Sequence, residues 1–114
     1  MSILRELNTI LDAVGIPVET GVFKDKAPDE YVVIMPMADI FGVFADNTPQ
    51  YETHEARLSL FSKKNYRQRK NQIVTALLDA DITVTARRYI GHEDDTGYHH
   101  YAIDAAKEYE LEES

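Results

Sequence analysis

The sequence predicts an α+β fold, in which two helices pack on one face of a mostly antiparallel sheet. Two segments carry apolar residues at helical spacing, and others alternate apolar and polar residues as half-buried strands do. Helices and strands do not alternate regularly, and the predicted order is α-β-β-loop-β-α-β-β. A chain of 114 residues suits one domain. We assign that domain to residues 1–108 and an acidic tail to residues 109–114.

The first predicted element is an amphipathic helix at the N-terminus. Ser2 can cap it, because a serine side chain accepts a hydrogen bond from a backbone N–H of the first turn. Gly15 stands where a C-cap glycine belongs, and Pro17 prevents simple continuation. The apolar residues at helical spacing are Ile3, Leu4, Leu7, Ile10, Leu11 and Val14.

Three strands are predicted before the second helix. Residues 18–23 alternate, and residues 31–37 form a continuous apolar run that is short enough for a buried strand. Proline cannot donate to a strand ladder, so Pro36 indicates an edge position or a bulge. In the third strand Ala56, Leu58 and Leu60 alternate with Glu55, Arg57 and Ser59.

Residues 38–50 are predicted to form a loop before that third strand. Asp46 and Asn47 belong to a run with strong turn chemistry. Phe41 and Phe44 are more apolar than a soluble surface loop requires. They either fold back on the core or form an exposed patch of the kind that marks a protein contact. These four residues are therefore candidates for a subunit or partner interface.

A second helix is predicted from about residue 65 to residue 80, and a hairpin follows it. Residues 82–90 and 101–105 alternate, and residues 93–97 between them are typical of a hairpin turn. The predicted buried stripe of the helix comprises Tyr66, Ile73, Val74, Leu77 and Leu78.

The charge is acidic overall but unevenly distributed. A formal net charge of −8 argues against general affinity for nucleic acid, which depends on clustered Lys and Arg. Residues 63–70, KKNYRQRK, are basic, whereas Lys107 is the one cation beyond Gly91. A basic helix start and an acidic C-terminal hairpin are two unlike patches suited to contact between copies.

The basic run is a candidate interface. Four of its cations fall on one broad helical face, while Arg69 points away. That face is either the solvated start of a helix or a contact for an acidic surface, including the acidic end of another copy. The candidate cations are Lys63, Lys64, Arg67 and Lys70, and the candidate acids, from the hairpin turn, are Asp94 and Asp95.

The stretch RRYIGHEDDTGYHHYAID, residues 87–104, contains the residues most typical of a metal or catalytic site. His99 and His100 are neighbours on a predicted strand and point to opposite faces, so both cannot bind one ion without distortion. His92 can face one of them across the hairpin, but the spacing matches no helical metal motif. We therefore interpret this stretch as a polar corner.

Other functional classes lack support in the sequence. The chain has no cysteine, no GxSxG motif and no glycine-rich phosphate loop. We therefore predict no catalytic residues, no cofactor and no metal, and a protein that is not an enzyme. No segment approaches the roughly 18 apolar residues of a membrane span, and the N-terminus lacks signal-peptide features. We expect a soluble protein made in the cytoplasm, with no membrane partner.

The order and spacing of several segments resemble a known group of proteins. The likeness is carried by GIPVETGVF, PDEYVVIMP, FADNTPQYETHEARLSLFSKKNY, the helix after it and RRYIGHEDDTGYHHYAIDAAKEYE. Over about residues 3–110, the chain resembles the small tail-completion proteins of long-tailed bacteriophages and prophages. These proteins are variously called tail terminator, tail-to-head joining or minor tail proteins.

The resemblance implies a structural role in virion assembly. Such proteins have a compact α+β fold and assemble as a ring, commonly a hexamer, that caps the tail tube or joins it to the head connector. DNA passes through the ring without its sequence being read, and no cofactor or metal is expected. The protein would be made in the host cytoplasm and incorporated in the tail or neck of the virion.

Two other functions stay open from the sequence. One is a small cytosolic protein-binding or regulatory module without catalytic activity. The other is a metal-dependent hydrolase that uses His92, His99 or His100.

Overall fold

Two helices lie on one face of a five-stranded, mostly antiparallel sheet, which confirms the predicted α+β class. The computed structural model describes residues 2–19, 27–41, 44–45, 48–49 and 51–110, with the backbone alone at 41, 44–45 and 48–49. The helices are α1 (Ile3–Val14) and α2 (Tyr66–Asp79). The strands are β1 (Val18–Glu19), β2 (Glu30–Phe41), β3 (Phe44–Ala45), β4 (Thr48–Pro49), β5 (Tyr51–Ser62), β6 (Thr83–His92) and β7 (His99–Glu110).

Helix α1 begins and ends at the residues that the sequence predicts. The Ser2 hydroxyl accepts a hydrogen bond from the Arg5 N–H at 3.4 Å. Gly15 has a left-handed φ of 88° and donates its N–H to the carbonyls of Leu11 and Asp12. These bonds satisfy backbone groups that a helix end otherwise leaves unpaired.

The sheet has the strand order β1-β2-β5-β7-β6. Strand β1 pairs in parallel with Val32 and Val33, and the three other pairings are antiparallel. The core lies between the sheet and the two helices, around the fully buried Leu58 of β5. The core residues contributed by the helices and by the sheet face beneath them include Ile3, Leu7, Leu11, Val32, Ile34, Ala56, Leu58, Leu60, Ile73, Val74, Leu77, Tyr101, Ile103 and Ala105.

The loop predicted at residues 38–50 is largely strand, and that prediction was wrong in its extent. Strand β2 continues to Phe41 opposite β5, and β3 pairs with β4 beyond it. The register shifts between Pro36 and Ala38, so Met37 lies in the bulge that the proline predicts. This segment forms a strand despite its irregular hydrophobic pattern, because each hydrogen bond in the long pairing with β5 satisfies backbone polar groups.

The last strand continues for two residues into the stretch that was assigned to the acidic tail. Strand β7 runs to Glu110, which pairs with Tyr51. Tyr109 packs its ring 4.7 Å from the ring of His54, so an apolar contact holds the strand inside the stretch assigned to the tail. Residues 111–114 lie outside the described part of the chain.

Several positions that were predicted to be buried are exposed, in α2 and in β6. Ile73, Val74 and Leu77 of α2 are buried as predicted, but Leu78 is 56% exposed because it lies about 100° further round the helix. In β6 the predicted alternation fails, and most of the strand is exposed. Bulges interrupt its pairing with β7 beside Val84 and beside Tyr89 and so re-aim the side chains.

Neither α1 nor α2 is long and apolar enough to span a membrane.

Candidate interaction surfaces

The predicted basic residues lie around the start of α2. The Asn65 side chain caps the helix by accepting from the Gln68 N–H at 3.2 Å. The Lys70 ammonium lies 5.2 Å from the Tyr101 ring centre, and the Arg67 guanidinium 5.9 Å from the Tyr66 ring centre. These aromatic faces attract the cations without neutralising them.

Lys63 and Lys64 precede the helix and are both exposed. The Lys63 ammonium lies 4.8 Å from the centre of the Tyr98 ring, next to the turn between β6 and β7. All four predicted cations are thus brought to one end of the sheet, where β5 and β6 end and β7 begins.

None of these four cations forms an ion pair within the described residues, whereas other cations do. Arg69, which was predicted to point away from the group, turns towards α1. Its guanidinium lies 2.9 Å from the Glu30 carboxylate and donates to the Val14 carbonyl. Among the described residues, two other Lys or Arg side chains pair with carboxylates, Arg57 with Asp104 at 2.7 Å and Lys107 with Glu6 at 2.9 Å. The four predicted cations are therefore available to an external acid.

The predicted turn acids do not form a patch separate from these cations. Asp94 and Asp95 lie in the turn that also contains Tyr98, against which Lys63 packs. The Asp94 side chain is 97% exposed, and its carboxylate lies 3.0 Å from Nδ1 of His92. A turn acid beside a solvated cation is screened by water. The sequence predicted that the basic helix start and the acidic hairpin turn form two separate patches, but in the structure the two lie next to each other.

A different group of acids lies at the opposite end of the sheet. Strand pairing places Thr53 opposite Glu108 and Tyr51 opposite Glu110, next to the exposed part of β2. From Tyr51 to Ser62 the extended β5 spans roughly 36 Å. We call this group the acidic end, and it comprises Asp39, Glu52, Glu55, Glu108 and Glu110.

The three histidines of the hairpin do not converge on one point. His99 lies on the helix side, where Nδ1 is 2.9 Å from the Tyr89 hydroxyl and the ring is 4.8 Å from that of Tyr66. The His92 ring lies 4.7 Å from the His99 ring across the hairpin. Over the described ranges, no group of three or more His, Cys, Asp or Glu side chains is arranged to hold a metal ion.

His100 lies on the face of the sheet that neither described helix covers. Its ring stacks on Phe61 at 4.3 Å, and Phe61 stacks on Tyr31 at 5.0 Å. Burial in this aromatic cluster lowers the pKa of His100. Further along the same face, the Arg57 guanidinium donates two hydrogen bonds to Asp104, and these hold the pKa of that carboxyl below its ordinary value.

The predicted loop candidates lie mainly outside the described residues. Asp46 and Asn47 fall there entirely. At Phe41 and Phe44 the backbone is described, in β2 and β3, but the side chains are not. Whether Phe41 and Phe44 fold back on the core or form an exposed patch, the two alternatives given by the sequence, therefore stays open.

Sequence reasoning missed two features of these surfaces. The acidic end forms only when three strands bring distant acids together. The aromatic cluster of Tyr66, Tyr89, His99 and Tyr101 supports the start of α2. The alternating pattern around Tyr89 and Tyr101 was the signal from which this cluster could have been predicted. Because of the bulges in β6, however, alternation alone does not give the face on which Tyr89 lies.

No protein-family model matches the chain, and no curated protein matches it.

Proposed function

We propose that this protein is a structural subunit of a bacteriophage or prophage virion, which forms a ring as a tail terminator or head–tail joining protein. The observation that carries the proposal is the separation of charge along the sheet. Lys63, Lys64, Arg67 and Lys70 have no carboxylate partner among the described residues, and the acidic end lies roughly 23–36 Å from Ser62 along β5.

A ring of identical subunits requires two unlike surfaces on each copy. In such a heterologous interface, one patch of a subunit meets a different patch of its neighbour. Opposite charges on the two patches favour this pairing and disfavour contact between two identical patches. The acidic end replaces the hairpin turn as the partner of the basic residues, since the turn acids lie beside Lys63.

The order of segments supports the same assignment. The two helices and the long central hairpin occur in the order expected of tail-completion proteins. A net charge of −8 suits a ring through which DNA slides, because an acidic lumen repels the phosphate backbone. The partners are other copies of the chain and the tail-tube or head-connector proteins that the ring joins.

The proposal is tested by the assembly of the purified protein. Light scattering and negative-stain images should show rings at high protein concentration. The double variant Arg67→Glu and Lys70→Glu should weaken assembly, and raised salt should weaken assembly of the unaltered protein, because screening removes the same attraction. The control is Thr75→Glu, which adds a negative charge on the exposed side of α2, opposite its buried stripe.

Unchanged assembly of the double variant would exclude the charge mechanism. A protein that stays monomeric alone and also with isolated tails or connectors would exclude the ring itself and favour a monomeric binding module. The gene should lie beside those of tail and head-completion proteins.

A further inference from the structure

The exposed apolar side chains form two groups at opposite edges of the sheet. Six large hydrophobic residues of the described part are between 44% and 57% exposed. Isolated exposed apolar residues are ordinary on a protein surface. Here three belong to β2, two to β6 and one to α2, which contacts β6. The two groups are Met35, Met37 and Ile40 on one side, and Leu78, Tyr89 and Ile90 on the other.

The first group lies on the outer part of β2. Among the described residues, strand β1 pairs only with Val32 and Val33, so within that part of the chain β2 is paired on one side alone beyond them. The bulge after Pro36 places Met37 outside the regular ladder. Asp39 lies beside this group with 72% of its side chain exposed. We call this surface the β2 edge.

The second group lies along β6, which pairs on one side only, with β7, within the described ranges. Ile90 lies in the bulge between Tyr89 and Gly91. Arg87 and Arg88 of the same strand are exposed, and the described residues give neither of them an ion-pair partner. The contact between Tyr66 and Tyr89, at 5.2 Å, joins the start of α2 to this strand.

The second surface is thus basic as well as apolar. Lys70 and Leu78 are separated by two helical turns and share a face of α2, which places both on the side of β6. We call this surface the β6 edge. It comprises Leu78, Tyr89 and Ile90 with the cations Arg67, Lys70, Arg87 and Arg88.

We propose that the β6 edge of one copy packs against the β2 edge of the next copy. This inference rests on the proposed ring and identifies the surfaces that build it. Met35, Met37 and Ile40 meet the apolar side chains of the β6 edge, and burial of both groups supplies the main favourable term. Each edge carries a bulge, so the contact joins side chains instead of extending the sheet by a backbone ladder.

Charge selects this pairing over contact between two identical edges. Two β6 edges would bring Arg67, Lys70 and Arg87 of both copies together, and like charges oppose such a contact. Against the β2 edge, the same cations meet Asp39 and the neighbouring acidic end. Strands β2 and β6 lie towards opposite edges of the sheet, three strand spacings or about 14 Å apart. Repetition of the contact therefore adds copies head to tail, and a closed ring results when the rotation between copies completes a circle.

Single thiols test the contact directly, because the chain has no natural cysteine. Met37→Cys and Ile90→Cys each replace an exposed bulge residue and leave the core intact. A mixture of the two variants, oxidised with diamide, should give a disulfide-linked dimer at least ~10-fold more abundant than either variant alone, since assembly raises the local thiol concentration. Thr75→Cys, on the exposed side of α2, mixed with Ile90→Cys is the matched control.

A second measurement covers the case in which the two thiols meet at an unsuitable angle. Met37→Asp and Ile90→Asp should each weaken assembly by at least ~10-fold, because a charge replaces a buried apolar group. Thr75→Asp should leave assembly unchanged. If Ile90→Cys alone gave as much disulfide-linked dimer as the mixture does, the inference would be wrong, and two β6 edges would be in contact instead.

The outcomes separate this inference from the proposed function. If the unaltered protein forms rings, and neither the thiol pair nor the aspartate variants affect them, the edge contact is wrong and the ring stands. If the unaltered protein forms no ring alone or on isolated tails, both are wrong.

Discussion

His99 and His100 are adjacent in β7, yet their rings lie on opposite faces of the sheet. The His99 ring is 4.8 Å from the ring of Tyr66 on the helix side, and the His100 ring is 4.3 Å from that of Phe61 on the other side. The alternation of a strand requires this separation. The pair therefore supports two different aromatic clusters instead of one ion.

The stability of the protein should decrease in mild acid because of His100. Burial lowers the pKa of its imidazole, so the unfolded chain takes up a proton first as the pH falls. The stabilising contribution is complete above the ordinary histidine pKa of about 6.5 and is lost as the pH falls towards the lowered value. His100→Phe should flatten the free energy of unfolding between pH 7 and pH 5, roughly this window, as measured by urea denaturation.

A change on the helix side of the sheet, which removes no titratable group and leaves the ring stack of His100 intact, is the control. Ile103→Val should lower the free energy of unfolding by similar amounts at both pH values. If His100→Phe kept the slope of the unaltered protein, His100 would not be the source of the acid dependence.

Leu77 and Leu78 should differ sharply when each is replaced by alanine. Leu77 is fully buried under α2, and Leu78 is 56% exposed. Leu77→Ala should lower the free energy of unfolding by about 3 kcal/mol, because it removes buried methyl groups and leaves a cavity. Leu78→Ala should change it by less than about 0.5 kcal/mol. Chemical denaturation of the monomer measures both, and equal losses would show that α2 is rotated from the position described.

His54 should be important for stability although it is polar. Its ring is buried, Nδ1 accepts a hydrogen bond from the Ile3 N–H at 3.3 Å, and Nε2 lies 2.9 Å from the Glu52 carboxylate. His54→Ala should cost about 2 kcal/mol, since it leaves an N–H at the start of α1 without its acceptor. Urea denaturation should show a change within about 0.5 kcal/mol for His92→Ala, at the exposed end of β6. A similar loss for both variants would contradict the role given to His54.

Gly15 should be required for its backbone conformation alone. A side chain at this position would meet no atom within 4 Å, but φ is 88°. Gly15→Ala should therefore lower the free energy of unfolding by about 1 kcal/mol, the cost of a left-handed conformation for an L-residue. Gly15→Asn should lose less, because asparagine tolerates this conformation better. Thermal unfolding of the two variants is the measurement, and a neutral Gly15→Ala would exclude the left-handed cap.

Much of the fold was predictable from local patterns. The periodicity of α1 and the chemistry of Ser2 and Gly15 determine that helix with its ends, because caps and buried stripes depend on residues close in the sequence. The bulge at Met37 followed from the proline before it. The extent of β2 and the end of β7 were not predictable, because pairing with β5 continues through residues whose own pattern is irregular.

The candidate surfaces were predictable only in part. The run of cations from Lys63 to Lys70 is visible in the sequence, since its members are close in the chain. Which acids pair with these cations was not predictable, because the hairpin turn and the end of β7 are both acidic. Strand register puts the turn beside Lys63 and moves Glu108 and Glu110 to the far end of β5.

The sequence by itself determined the α+β class, the two helices with their caps and the basic start of α2, since each depends on periodicity or on neighbouring residues. Only the tertiary structure decided which surfaces face solvent together. The order of strands makes β6 an edge, the bulges expose Met37 and Ile90, and ladders between distant segments assemble the acidic end. Such surfaces arise from pairings between residues far apart in the chain, which no local pattern encodes.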